Sequence, residues 1–166
     1  MSQAPDLSSI SSDITRELAA YASGMSYDDL PTKTRTVGKH ALLDWLGVTL
    51  AGGQEPLVAI LRDQAAAEGL GTQATLLGIG STGSVSQAAL INGSAGHALD
   101  YDDVHPKVGG HPTVPVAPVA LALAERDGSS GRDLLTALVA GIETEARVGS
   151  LIGDARDNGW HQTSTV

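Results

Sequence analysis

Cysteine is absent from the 166 residues. Its absence excludes disulfide frameworks, thiolate zinc sites and cysteine nucleophiles, and leaves Asp, Glu and His to hold any metal. Phenylalanine is also absent, and two Trp and three Tyr complete the aromatic set. A core filled by large rings is thereby ruled out in favour of Ala- and Gly-rich helices in close contact. Positive charge is scarce, with 10 Lys plus Arg against 19 Asp plus Glu and a net charge of −9. Such a field repels nucleic-acid phosphates and anionic membrane surfaces, so neither nucleic acid nor membrane is an expected partner. Charge or glycine interrupts every apolar run well short of the roughly 20 residues that span a bilayer. The N-terminus, MSQAPDLSSISSDITRELAA, has no basic region ahead of an apolar one and no Arg-rich amphipathic pattern. It reads neither as a secretory signal nor as a transit peptide, and the expected location is the cytoplasm.

What is present is helical periodicity. The length suits one domain or part of one, with residues 1–9 a mobile lead-in and 10–166 an incomplete helical domain. A first helix begins near Ile10, with Ile14, Leu18 and Tyr21 in period and Gly24 placed to stop it. Asp28 and Asp29 precede Leu30-Pro31 and announce a second, in which Val37, Ala41, Trp45 and Val48 mark one face. Leu42, Leu46 and Leu50 widen that face toward all-round burial. His40 and Asp44 lie one turn apart on it and are expected to pair, as a buried histidine with its partner or as a catalytic dyad.

A third helix runs from about Pro56 to Glu68, and helical pattern resumes from Val85 to Leu99. Pro115 and Pro118 fall in or just past the first turn of a helix reaching Arg126. Ser130 and Asp133 form a capping pair that opens another through Leu134, Leu135, Leu138, Val139 and Ile142, with glycines 149, 153 and 159 closing that region. Hydroxyl residues at the C-terminus suit the cap of a helix that does not follow, which predicts a chain stopping within its domain. The fold class is therefore mainly α, with at most one short strand near 74–77.

Between that strand and the next helix, Gly78-Ile79-Gly80-Ser81-Thr82-Gly83 satisfies G-x-G-x-x-G, with Asp100 about twenty residues on. A dinucleotide site is a weak alternative here, because the preceding half of the chain is helical and supplies no parallel sheet. The expected role is a strand-to-helix turn.

The chemical centre is His97 to Pro112, HALDYDDVHPKVGGHP, with three Asp and three His between two helices. Three chemistries compete for it. A metal could use Asp102, His105 and His111, although their spacing matches no helical ligand pair such as H-E-x-x-H. Asp100 to Asp103 matches the D-x-D-D of proton-initiated terpene cyclases, whose cavities need aromatic faces that this chain lacks. Histidine beside buried carboxylates also suits general acid–base catalysis.

The strings NGSAGHALDYDDVH, GGHPTVPVAPVALALAE, VAGIETEARVG and NGWHQTSTV occur in that order. In order and spacing they resemble the helical-domain signatures of the MmgE/PrpD family, over essentially the whole chain from Ile10 onward. That family includes 2-methylcitrate dehydratase, cis-aconitate decarboxylase and iminodisuccinate epimerase. The resemblance implies the N-terminal part of a large helical domain, with the family's α/β lid domain lying outside this sequence. It further implies a homodimer and chemistry on small polycarboxylates with no cofactor and no metal.

Residue by residue, Asp100 matches the first Asp of the family's D-[FY]-D-D, His111 the histidine of its H-P-[ST], and His161 that of its G-W-H. His111 or His161 would be acid or base and Asp100 the orienting group, while Lys107 and His105 would contact substrate. Lys107 also offsets the negative field against an anionic substrate. His97, Asp102 and Asp103 are expected to cap helix ends or tie loop backbone. Val104 stands where decarboxylase-like members carry Thr, which favours dehydration or epimerisation over decarboxylation. The rival to an enzymatic part is a truncated, catalytically silent helical or dimerising module, which a missing C-terminal chain could complete.

Overall fold

Small residues set how the helices meet. In a computed structural model that describes residues 13–152, 159–161 and 163, six helices and one hairpin follow in chain order. They are α1 (Ile14–Gly24), α2 (Thr32–Gly52), α3 (Pro56–Glu68), β1 (Ala74–Leu76), β2 (Ser81–Gly83), α4 (Val85–His97), α5 (Thr113–Asp127) and α6 (Gly131–Ile152). Helix α4 is the hub, packed most extensively on α5 and α2. A Cβ on Gly52 would overlap the Ala95 carbonyl, so α2 and α4 approach nearly backbone to backbone. That approach is what an Ala- and Gly-rich composition permits.

Two apolar clusters form the core. Val58, Ala65, Ala74, Leu76, Ala88, Ile91, Ala95 and Ala122 lie under the hairpin. Trp45, Val114, Ala117, Leu135 and Leu138 lie where α2, α5 and α6 meet. The start of α6 is built as its sequence predicts, and α4 opens with a device of the same kind. Ser84 Oγ accepts from the Gln87 amide while Gln87 Oε1 accepts from the Ser84 amide, which makes a capping box. Ser130 and Asp133 exchange the corresponding bonds ahead of α6. Pro115 and Pro118 both lie within the early turns of α5.

Several expectations are corrected. The single strand acquires a partner, because Ser81–Gly83 pairs antiparallel with Ala74–Leu76. Gly78 to Gly83 is therefore a hairpin turn with its second strand, and among the described residues no parallel sheet stands beside it. Buried Asn92 ties this hairpin to α4 by accepting from the Leu77 amide and donating to the Thr75 carbonyl, both at 2.9 Å. Helix α2 is not buried all round. Val37, Leu43 and Leu50 are each more than half exposed, and His40 and Asp44 lie on the exposed side with no bond between them among the described residues.

The last helix outruns its expected end, continuing through Gly141 and Gly149 to Ile152. Gly149 serves close approach instead, since a Cβ there would press on the Lys107 carbonyl at 2.7 Å. The start near Ile10, the lead-in at 1–9 and Gly153 lie outside the described residues. No helix among the described residues is long and apolar enough to cross a membrane.

Candidate active site

The segment between α4 and α5 is fixed at three points. At its start, the Asp100 amide donates to the His97 carbonyl and Asp100 adopts φ 52°, the one left-handed non-glycine residue described. That turn reverses the chain immediately after α4, so residues two positions further on fold back over the helix end. At its end, Asp103 accepts from the Thr113 amide and hydroxyl at 3.2 and 2.5 Å, satisfying the first turn of α5. Between them His105 and Gly110 form a small antiparallel bridge, with Val108 buried beneath it.

This backbone gathers His97, Asp100, Asp102 and His111. His97 Nδ1 lies 3.1 Å from both Asp102 carboxylate oxygens. His111 Nδ1 lies 3.3 Å from Asp102 Oδ1, and His111 Nε2 lies 3.3 Å from Asp100 Oδ1. The Asp102 side chain is 1% exposed and that of Asp100 79%, so one carboxylate sits under the imidazoles and the other over them at the surface. The His97 ring meets the His111 ring edge to face at 4.8 Å between centroids, and the His161 ring at 5.4 Å. The sequence-predicted trio of Asp100, His111 and His161 is thus brought to one place, with His97 between the two other imidazoles.

The arrangement can move protons. His111 has acceptor oxygens beside both ring nitrogens, so only its doubly protonated ring satisfies Asp102 and Asp100 together, and that form presents the Nε2 proton beside the exposed Asp100 carboxylate. His111 is held from the far end of the described chain as well. Its amide donates to Thr163 Oγ1 at 3.1 Å, and a Cβ on Gly110 would meet the same hydroxyl at 2.6 Å. One donor atom each from His97, Asp100, Asp102 and His111 lies within 4.8 Å of the others, so these four are the residues that could hold a metal. That span exceeds the about 4.2 Å across a coordination sphere with bonds of about 2.1 Å, so the group would have to contract to hold an ion. His105, expected in such a site, is not in the group.

Lys107 and His105 are placed elsewhere. They line a groove along α6 with Ile142, Glu143, Ala146 and Arg147, and the described residues show neither in contact with the imidazole cluster. Residue spacing did not point to the pairing of His97 with Asp102. The hint available was a histidine in the last turn of a helix with an Asp five residues on, but only the left-handed turn at Asp100 makes them neighbours.

Glu145 on α6 is a further unexpected group. One of its carboxylate oxygens is sealed from solvent with no hydrogen-bond partner among the described residues. Burial, and then repulsion from Asp103, pushes its carboxyl up to about 8.

Residues 16–166 match the family model of the MmgE/PrpD N-terminal domain. The chain belongs to the MmgE/PrpD family. Among its relatives, the cis-aconitate decarboxylase-like protein oryM of Aspergillus oryzae is 31% identical over 161 residues, covering 90% of this chain and 33% of that protein. Cis-aconitate decarboxylase of Aspergillus terreus is 27% identical over 166 residues, covering 93% and 33%. The human enzyme of the same name is 31% identical over 150 residues, covering 87% and 31%. The chain thus spans about a third of the length of the curated relatives it matches. MmgE/PrpD membership agrees with the four motifs and with the mainly helical architecture, and the family's decarboxylases are lyases.

Proposed function

We propose that this chain supplies acid–base groups of a lyase acting on a small di- or tricarboxylate, with proton transfer at a carbon next to a carboxylate. The observation that carries the reading is His111 held between two carboxylates, Asp102 beneath and Asp100 at the surface, with His161 nearby. In a decarboxylation the electron pair of the broken C–C bond stays on carbon, and that carbon then takes a proton. In a dehydration a proton leaves the carbon next to a carboxylate while another is given to the departing hydroxyl. Both need an imidazole that can hold and release a proton near neutral pH. Val104 favours dehydration or epimerisation, whereas the relatives' names favour decarboxylation of cis-aconitate.

Turnover is assayed in the intact protein with cis-aconitate for CO2 release and 2-methylcitrate for loss of water. His111→Gln and His161→Gln are expected to lower kcat by about 10²-fold or more with unchanged circular dichroism. Wild-type rates in both variants refute the assigned roles. Absence of turnover with every polycarboxylate tried favours the silent helical module. The reading also has two copies joined through the helical domain, supported by the exposed Leu43 and Leu50 on one face of α2. A monomeric mass in light scattering refutes that part.

A further inference from the structure

Asp102 and Asp103 are adjacent, both are withdrawn from solvent, and their partners differ in kind. Asp103 accepts from the amide and hydroxyl of Thr113, which is how a carboxylate holds a loop to a helix. Among the described residues Asp102 accepts from no backbone amide, and the polar contacts of its carboxylate are with imidazole nitrogens. His97 Nδ1 lies 3.1 Å from both of its oxygens, and His111 Nδ1 lies 3.3 Å from Oδ1 and 3.2 Å from the Asp102 carbonyl oxygen. All of these partner atoms are acceptors, so both rings satisfy the contacts only with a proton on Nδ1. A neutral ring protonated there carries its lone pair on Nε2.

The two rings differ at that second nitrogen. His111 Nε2 lies 3.3 Å from Asp100 Oδ1, so His111 can take a second proton there and donate it as an imidazolium, whereas no carboxylate faces His97 Nε2 among the described residues. We infer that Asp102 is a positioning residue locking His97 and His111 together in the Nδ1–H form, and that His97 is the site's second proton-transfer group. One buried carboxylate thereby orients a base, His97, beside a donor, His111, with the rings 4.8 Å apart and within reach of one small substrate. The positioning role stands on geometry alone, whereas the role of His97 rests on the lyase reading.

Long-range proton–nitrogen correlation spectra of the 15N-histidine-labelled full chain at alkaline pH test the positioning. His97 and His111 are expected to show the Nδ1–H pattern. In Asp102→Ala, His97 is expected to revert to the Nε2–H form preferred without a directing partner, while His111 keeps Nδ1–H against the residue 102 carbonyl. An Nε2–H pattern for either ring in the wild-type chain overturns the lock, as does an unchanged His97 in Asp102→Ala. Should Asp102→Ala fail to fold, the wild-type spectrum still decides.

For the second half, His97→Gln is expected to lower kcat about 10²-fold with KM little changed. Wild-type kcat in His97→Gln beside a loss in His111→Gln overturns the role of His97 and leaves the lyase reading intact. No turnover in the wild-type protein overturns the lyase reading and the role of His97 together, while the spectra still decide Asp102.

Discussion

Replacing Glu145 by Gln keeps the shape of the side chain and removes its charge. In the folded protein the Glu145 carboxyl is raised from the ordinary 4.5 to about 8, first by burial and then by Asp103. Between those values the unfolded chain has released the proton while the folded chain still binds it. Stability from this group is therefore fully present below about pH 4.5 and is lost progressively as pH rises to about 8. At about 1.4 kcal/mol for each tenfold change in proton affinity, the full difference sets a ceiling of about 5 kcal/mol. Glu145 is only half-buried, so solvent screening reduces this to about 1–2 kcal/mol. Urea unfolding followed by circular dichroism at pH 4.5, 7 and 9 reads it directly. Glu145→Gln and wild type are expected to be equally stable at pH 4.5, with the variant ahead by about 1–2 kcal/mol at pH 9, or about 3–6 °C in Tm. Because every other titrating group is common to both proteins, the difference isolates Glu145. Parallel losses of stability in the two proteins, or a variant that is weaker at pH 9, refute the reasoning.

Gly52→Ala places a methyl on the Ala95 carbonyl and is expected to cost about 3 kcal/mol in urea unfolding; a loss under about 1 kcal/mol refutes the close approach of α2 and α4. Ser84→Ala removes one half of the capping box ahead of α4 and is expected to cost about 1 kcal/mol, read as a lower urea midpoint at unchanged m-value. Thr163→Val deprives the His111 amide of its acceptor. It should cost about 1 kcal/mol and speed hydrogen exchange at the His111 amide, whereas unchanged protection there means the contact does not hold the loop.

The helices were legible in the sequence because their signals are local. Periodicity, the Ser130 start and the early prolines of α5 act within a few residues of themselves, and the structure follows them. The failures came where a distant partner decides. Val37 and Leu50 fall on faces whose periodicity predicts burial, yet both stay more than half exposed, and His40 and Asp44 lie exposed as well. Gly149 has the composition of a helix end, yet its missing side chain admits the Lys107 carbonyl and α6 continues past it.

The same division runs through the site. The order of motifs determined the family and singled out Asp100, His111 and His161, because a motif is carried by residue types and their order along the chain. Tertiary structure alone decided that His97 and Asp102 join them. Their meeting depends on a left-handed backbone at Asp100 and on burial of one carboxylate under two imidazoles. Neither a backbone angle nor the removal of water from a charge is written in residue spacing, so the fold had to supply both.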